Sequence, residues 1–312
     1  MNRRVVITGV AGFIGSNLAD CLLGRGYEIV GVDDLSQGVR EQVPEGVVFH
    51  ELDVCSPSFA DVLCPGDVIF HLAAKNCISD CQQEPVATAT TNVVGTVNVL
   101  ESARRIGARK VVYAESSALY EGVDRFPTPE DELRPESFYA LSKYAAMVFA
   151  DGFRRFHQMS LTALRYFCVY GPRQDYRRTV PPVMSAFIIK LLRGERPVIY
   201  GTGEKRRDFV HVDDVNRFHL KCIEDPQTDG RTFNLGSGRN YSVNEVLEII
   251  QRILDVRISP EYRPDLPGEA QQTLADISRA RSIGWRPQVS IEDGLRGMVD
   301  YYRETRIPWK LA

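Results

Sequence analysis

The chain is short of several things that would set it apart from an ordinary globular protein. No apolar run approaches the roughly 20 residues of a membrane span. Neither sign of charge dominates: 38 Lys and Arg face 41 Asp and Glu, for a formal net charge of −3. The whole-protein field therefore gives no reason to expect nucleic acid or an anionic membrane as a partner. Arg154-Arg155, Arg177-Arg178 and Arg206-Arg207 are local basic spots without interleaved aromatics. Seven cysteines, an odd number with no C-x-x-C spacing, fit a reducing cytoplasm better than a disulfide framework. Cys77 and Cys81 lie four apart, but no histidine or further cysteine completes a ligand set, and no metal is expected. Met1-Asn2-Arg3-Arg4 leads straight into an apolar stretch without a small-residue cleavage site, so no secretion signal is expected. Internal repeats and low-complexity tracts are also missing.

What is there has a clear rhythm. With 312 residues, 44% hydrophobic and 25% charged, the chain can bury a sizeable core, and its length predicts one long domain or, in preference, two lobes. Val5–Thr8 reads as a short buried strand, and Phe13 to Leu23 as a helix. Further strands are predicted at Tyr27–Val32, Val47–Leu52, Asp67–Leu72, Lys110–Ala114 and Leu161–Tyr166, with helices at about 90–106 and 138–157. Strands alternating with helices imply a parallel, doubly wound sheet. After Arg165 the rhythm changes. Gly171-Pro172, Pro181-Pro182 and Gly201-x-Gly203 break the chain into loops around a helix at about 180–193. Another helix is predicted at about 242–254, with Ser242 as N-cap and Glu245 three residues on.

Gly9-Val-Ala-Gly12-Phe-Ile-Gly15 lies directly after a strand and before a helix, the context a dinucleotide fingerprint requires. Such glycines let the backbone turn tightly and approach a pyrophosphate, which the helix N-terminus stabilises. The spacing is G-x-x-G-x-x-G. Asp33, at the end of the second strand, is placed to accept hydrogen bonds from the adenosine ribose. A carboxylate there repels a 2′-phosphate, and no arginine follows immediately, so NAD is expected in preference to NADP.

Tyr139-Ala-Leu-Ser-Lys143 puts a phenol and an ammonium on one face of a predicted helix. For a phenol of pKa about 10 to act as a base near neutrality, it needs roughly 4 kcal/mol of differential stabilisation. A lysine, helped by a positively charged nicotinamide ring, supplies charge of the right sign. Alone, Tyr-x-x-x-Lys is common and marks two residues on a solvated helix face.

Taken together the motifs resemble the extended short-chain dehydrogenase/reductase family, in its NAD-dependent nucleotide-sugar epimerase/dehydratase branch. The resemblance runs nearly end to end. It rests on Thr8-Gly-x-x-Gly-Phe-Ile-Gly15, His71-Leu-Ala-Ala74, Asn92-x-x-Gly-Thr96, Ser116-Ser-Ala-Leu-Tyr120, Tyr139-x-x-x-Lys143, Arg165-Tyr-Phe167, Val169-Tyr-Gly-Pro172 and Gly201-x-Gly-Glu-x-x-Arg-Asp-Phe209. It implies an α/β fold: a Rossmann-type doubly wound parallel sheet over 1–167, to which part of 205–236 returns, and a smaller α/β substrate lobe over 168–312. It implies Tyr139 as acid/base on a sugar hydroxyl, Lys143 as the group lowering its pKa and bonding the nicotinamide ribose, and Ser116 in the same proton network. Gly9, Gly12, Phe13, Ile14, Gly15, Asp33, Asp53, Val54, Leu72, Ala73, Ala74, Asn92 and Tyr166 are the implied cofactor residues, with Asp53 at the adenine. His71 is expected to be a packed strand histidine.

The resemblance also narrows the reaction. Dehydratases of the family carry an Asp-Glu pair after the serine, and the related decarboxylases keep an acid; here Ser117 and Ala118 follow, neither an acid/base at neutral pH. Glu115 and Glu121 flank the motif out of register and are expected to be structural or exposed. Oxidation at C4, rotation of the keto sugar and return of hydride to the other face remain: C4 epimerisation of a nucleotide sugar, implied to be UDP-linked. A ketoreductase, a 2-epimerase and a non-catalytic NAD-binding relative stay open. Implied substrate residues are Ser116, Ser117, Cys168, Arg207 on the diphosphate, Glu269 on the nucleotide ribose, and Thr273. Thr273 falls where family members set sugar selectivity by size, and a small residue there implies that N-acetylhexosamines are admitted. Two positions depart from the pattern: Cys168 stands for the usual asparagine after Arg-Tyr-Phe, and Leu266 for an arginine three residues before the loop acid. Arg263, Arg173 or Arg177 are available as replacements. A homodimer through the helices at about 90–106 and 138–157 is implied, although their apolar residues (Val93, Val97, Leu100, Met147, Phe149, Ala150) equally suit packing on the sheet.

Overall fold

Seven short strands pair side by side in one sheet: Arg4–Thr8 (β1), Glu28–Asp33 (β2), Val48–Glu51 (β3), Val68–His71 (β4), Lys110–Ser116 (β5), Leu161–Tyr166 (β6) and Thr232–Leu235 (β7). Their order is β7-β6-β5-β4-β1-β2-β3, and every pairing is parallel. The strand order reverses between β1 and β4. In doubly wound sheets that reversal opens a crevice at the carboxyl ends of the strands, where ligands bind. The computed structural model describes residues 3–177, 181–265 and 270–305.

Within the described residues the chain forms two compact units. The first comprises Met1–Asp124, Glu130–Tyr166 and Asn216–Leu235; the second, Arg125–Pro129, Phe167–Val215 and Gly236–Ala312. Arg125–Pro129 joins the second because the Thr128 N–H donates to Leu274 at 2.8 Å and the Asp276 N–H donates to Thr128 at 3.0 Å. No local pattern in the sequence signals that pairing.

In the first unit, β-branched residues of the strands, among them Val6, Ile69 and Val111, pack against Val99, Leu100 and Ala150 from flanking helices. Each such burial is worth roughly 1.5–3 kcal/mol. Three helices flank the sheet where the sequence motifs lie: Phe13–Leu23 (α1), Gly95–Ile106 (α2) and Phe138–His157 (α3). The predicted helix at about 90–106 divides. Thr90–Val94 is a π-helical turn, and the α-helix proper starts at Gly95. The wider turn carries Asn92, which is almost wholly buried and bonded to segments far away in sequence. Tertiary hydrogen bonds of that kind override local helical spacing, and π turns recur at functional sites.

The second unit holds a three-stranded sheet, ordered Asn240–Ser242, Arg206–His211, Cys168–Tyr170, and a parallel pair Glu261–Arg263 with Val198–Tyr200. Its core gathers Phe187, Ile188, Val246, Ile250, Met298 and Tyr302. The helix Val243–Leu254 begins with a full capping box: Ser242 accepts from the Glu245 N–H at 3.0 Å, and Glu245 accepts from the Ser242 N–H at 2.6 Å. Asp208 is fully buried. Its carboxylate accepts from the N–H groups of Ser237 (2.6 Å), Gly238 (3.0 Å) and Ala275 (3.0 Å) and from the Ser237 hydroxyl (2.8 Å), which fixes the turn after β7. Burial pushes this carboxyl's pKa up, and those donors oppose the rise.

Candidate functional site

The carboxyl ends of β1 and β4 meet at Gly9. This residue has φ +72°, and a Cβ on it would lie 2.8 Å from the Ala73 amide nitrogen. Only glycine relieves both constraints. Gly15 is tighter still: a Cβ there would stand 2.2 Å from the Gly9 carbonyl oxygen, so α1 seats directly on the loop that opens it. Gly12 precedes α1 with extended backbone and no side-chain cap, leaving Phe13 and Ile14 in the first turn. The result is a narrow cradle at a helix N-terminus, which suits a pyrophosphate. Asp33 closes one side. Its carboxylate accepts from the Ala11 N–H and the Leu35 N–H, both at 2.9 Å, and keeps acceptor capacity for further donors. Burial raises the Asp33 pKa against those two bonds. A cradle that tolerates no Cβ, beside a half-satisfied carboxylate, fits a dinucleotide.

The other implied cofactor residues fare differently. Leu72 and Ala73 donate their N–H groups to the Thr8 hydroxyl at 3.2 Å each, holding the segment that continues through Ala74 against β1. Asp53 is exposed and accepts from the Cys55 N–H at 2.8 Å. Val54 sends its side chain into the core of the unit and its carbonyl to Asn98. Asn92 has both amide hydrogens engaged, with the Lys75 carbonyl and the Ser142 hydroxyl at 2.9 Å each, while its Oδ1 accepts from the Lys75 N–H at 2.8 Å. Tyr166 is buried, and its hydroxyl is bonded to His219 Nε2 at 2.7 Å. The side chains of Val54, Asn92 and Tyr166 are thus engaged by protein partners.

The three implied catalytic residues come from two adjoining elements. Ser116 ends β5. Its hydroxyl oxygen accepts from the Ala118 N–H at 3.1 Å and starts the 3₁₀ turn Ser117–Tyr120. This backbone bond leaves the hydroxyl proton for another acceptor. Tyr139 and Lys143 lie one turn apart on α3. Lys143 is buried, and its ammonium donates to the Ala114 carbonyl at 3.0 Å, two residues before Ser116. Burial pulls the Lys143 pKa down to about 8, with the Glu115 carboxylate pulling the other way.

Sequence spacing missed the supports of this site. Ser142, between Tyr139 and Lys143, accepts from Asn92 and donates to the Tyr139 carbonyl at 2.7 Å. His71 stands between two threonine hydroxyls, Thr8 at 2.8 Å and Thr96 at 2.9 Å, and burial lowers its pKa to about 3. It is a packed strand histidine. Glu115 is buried against Arg165 (2.5 Å), accepts from Tyr113 (2.9 Å), and completes a network in which Arg165 also donates to Tyr120 (2.9 Å). The pairs His71–Thr96, His71–Thr8, Asn92–Ser142 and Glu115–Arg165 are 25 to 63 residues apart in sequence, so no local pattern could have found them.

Of the implied substrate residues, Ser117 opens the 3₁₀ turn in the first unit. Ser116 lies in the same unit, and Cys168, Arg207 and Thr273 belong to the second. Cys168 begins the strand Cys168–Tyr170, opposite Phe209. Arg207 sits on the neighbouring strand and donates to the Arg206 carbonyl at 3.0 Å. Thr273 accepts from the Asp208 N–H at 3.1 Å, and its own N–H donates to Arg206 at 3.0 Å. Glu269 and Leu266 lie outside the described residues. Among the described residues no group of three or more His, Cys, Asp or Glu is arranged to hold a metal ion. No helix among them is long and apolar enough to cross a membrane.

Residues 5–236 match the model of the NAD dependent epimerase/dehydratase family. A UDP-glucose 4-epimerase of Mycolicibacterium smegmatis is 35% identical over 310 residues, covering 96% of this chain and 98% of that protein. Among solved structures, UDP-glucose 4-epimerase from Thermotoga maritima with UDP-glucose superposes with a TM-score of 0.93 at 35% identity, covering 97% and 99% of the two chains. UDP-N-acetylglucosamine 4-epimerase from Methanobrevibacter ruminantium, in complex with UDP-N-acetylmuramic acid, gives 0.92 at 30% identity, covering 97% and 98%. The chain belongs to the NAD-dependent epimerase/dehydratase family, with NAD as its cofactor.

Proposed function

We propose that this protein inverts C4 of a UDP-hexose or UDP-N-acetylhexosamine through a transient 4-keto sugar. The observation that carries the reading is the placement of the buried Lys143 ammonium at the Ala114 carbonyl, one helical turn from Tyr139 and two residues before Ser116. No second acid follows, since Ser117 and Ala118 occupy the positions where elimination would need one. Bound NAD supplies a reversible hydride acceptor. Tyr139 Oη removes the C4 hydroxyl proton and later returns it, and the Ser116 hydroxyl bonds the same oxygen. Lys143, one helical turn from Tyr139, brings a positive charge that favours the phenolate over the phenol. A phenol needs roughly 4 kcal/mol of such stabilisation to act as a base near neutrality. The glycine cradle at Gly9 and Gly15 holds the pyrophosphate, and Asp33 binds the adenosine ribose.

Arg207 binds the diphosphate and Glu269 the nucleotide ribose. Thr273 is the small residue that admits an N-acetyl group, a reading supported by relatives that include both UDP-glucose and UDP-N-acetylglucosamine 4-epimerases. The protein acts in the cytoplasm, which is supported by seven cysteines that are all free thiols. It forms a homodimer through the helices at about 90–106 and 138–157; on the latter Leu141, Val148 and Phe149 are 43%, 48% and 50% exposed, whereas Leu100 and Ala150 face the core. Sedimentation of a Leu141→Glu, Phe149→Glu variant tests this, and an unchanged dimer refutes the interface.

The reaction is tested by incubating the protein and NAD with UDP-glucose, UDP-galactose, UDP-N-acetylglucosamine and UDP-glucuronate and reading C4 configuration by proton NMR. Inversion without net change in cofactor redox state is expected for the hexoses and N-acetylhexosamines. Stoichiometric cofactor turnover would mean a ketoreductase, and no inversion of any of the four would refute epimerisation.

A further inference from the structure

Glu121 has no part in the epimerisation chemistry, yet its carboxylate is one of the most fully engaged in the first unit. Oε2 accepts from the Ser137 N–H at 2.7 Å and the Glu136 N–H at 3.1 Å, and Oε1 accepts from the Ser137 hydroxyl at 2.8 Å. Around it, the segment after β5 runs along the segment before α3. Arg134 N–H donates to Leu119 at 2.8 Å, Gly122 N–H to Arg134 at 3.0 Å, and the Arg134 side chain to the Gly122 carbonyl at 3.0 Å. Ser137 already caps α3 by accepting from the Ala140 N–H at 3.1 Å. Glu121 is therefore superfluous as a helix cap; the two amides it takes up lie outside the helix. What the bond adds is a connection. Upstream, the Ser116 hydroxyl oxygen opens the 3₁₀ turn Ser117–Tyr120, which Glu121 directly follows. Downstream, Ser137 precedes Tyr139 by two residues.

We propose that Glu121 is a positioning residue, whose carboxylate sets the separation of Ser116 from Tyr139 by tying the turn after β5 to the entry of α3. The proposal rests on Tyr139 as the acid/base. Geometry is the agent, because a proton passes efficiently only between groups held within hydrogen-bond reach, and small misplacements are costly. A glutamine keeps the geometry: its carboxamide oxygen accepts both backbone N–H groups, and its NH₂ donates to the Ser137 hydroxyl. Alanine removes all three bonds.

The test compares Glu121→Ala, Glu121→Gln and Tyr139→Phe for kcat, KM of the nucleotide sugar and Kd of NAD. Glu121→Ala is expected to lose about tenfold in kcat, with KM and the NAD Kd changed less than about twofold. Glu121→Gln is expected to stay within about threefold of the parent kcat. A Glu121→Ala protein with lowered Tm and unchanged kcat would overturn the proposal, since a merely structural bond moves only Tm. Should that variant not fold, Glu121→Asp replaces it: the shorter side chain cannot reach the two amides and the hydroxyl together, so equal kcat for Asp and Gln would refute the idea. Near-normal kcat in Tyr139→Phe would sink the acid/base reading itself. Loss in Tyr139→Phe beside an unaffected Glu121→Ala would sink only the positioning role.

Discussion

Lys143 donates from Nζ to the Ala114 carbonyl at 3.0 Å, and so fastens the helix that carries Tyr139 to the strand that ends in Ser116. The ammonium is buried, and burial brings its pKa to about 8 against the pull of Glu115. A free lysine titrates near 10.4. Turnover is therefore expected to decline as pH rises through about 8, because the charge that stabilises the phenolate disappears there. Lys143→Arg, permanently charged, is expected to be slower at pH 7 yet to lack that alkaline limb. A wild-type kcat that stays level up to pH 10 would show that Lys143 does not act in this way.

The glycine cradle gives a second expectation. A Cβ at Gly15 would stand 2.2 Å from the Gly9 carbonyl, a main-chain contact with no flexible end to move aside. Gly15→Ala is expected to cost roughly 1–3 kcal/mol of stability through overpacking and to weaken NAD binding at least tenfold by displacing the cradle. Gly297→Ala is the control: a Cβ there meets nothing within 4 Å, and in mid-helix the change should stabilise by about 0.5–1 kcal/mol. Titration calorimetry with NAD and thermal melts read both. Undiminished NAD affinity in Gly15→Ala would remove the pyrophosphate from this loop.

His71 and His219 are both held neutral by burial, each with its pKa lowered to about 3. In the unfolded chain a histidine takes up a proton near 6.5. Their contribution to stability is therefore present above about 6.5 and is lost as pH falls toward 3, where the folded state also protonates. Between pH 6 and 5, before most carboxylates titrate, two such groups give a slope approaching about 2.7 kcal/mol per pH unit. Urea denaturation across this range measures it. His219→Phe should halve the slope if it folds, and a slope near zero in the parent would contradict neutral buried imidazoles.

Thr273 accepts from the Asp208 N–H beside Arg207. Thr273→Tyr adds bulk at the proposed selectivity position and is expected to lower kcat/KM for UDP-N-acetylglucosamine by about tenfold or more, while UDP-glucose changes less. Equal losses on both sugars would indicate that the substitution only disturbs the strand, and unchanged activity on the N-acetyl sugar would remove Thr273 from the pocket.

Much of the frame is legible in the sequence. Phe13–Leu23, Phe138–His157 and Leu161–Tyr166 form over the residues their spacing predicts. Gly9, Gly15 and Asp33 meet as the strand–loop–helix context requires. Such features are local, since the residues that cause them lie within a few positions of one another. Asn92 and Tyr166 show the limit. Their side chains are bonded to Lys75, Ser142 and His219, 17 to 53 residues away in sequence. The π turn at Thr90–Val94 is equally hidden; it carries Asn92, whose partners lie 17 and 50 residues away.

By itself the sequence determined the parallel α/β frame, the glycine cradle with its acid and the pairing of Tyr139 with Lys143, because periodicity and i, i+4 spacing are local properties of a chain. Only the tertiary structure decided that Lys143 is buried on a carbonyl of the neighbouring strand. It also decided that His71 is a neutral strut between two threonines, that Glu115 is spent on Arg165, and that Glu121 holds the entry of α3. Each of those depends on burial and on hydrogen bonds between distant segments, and these exist only once the sheet has brought the segments together.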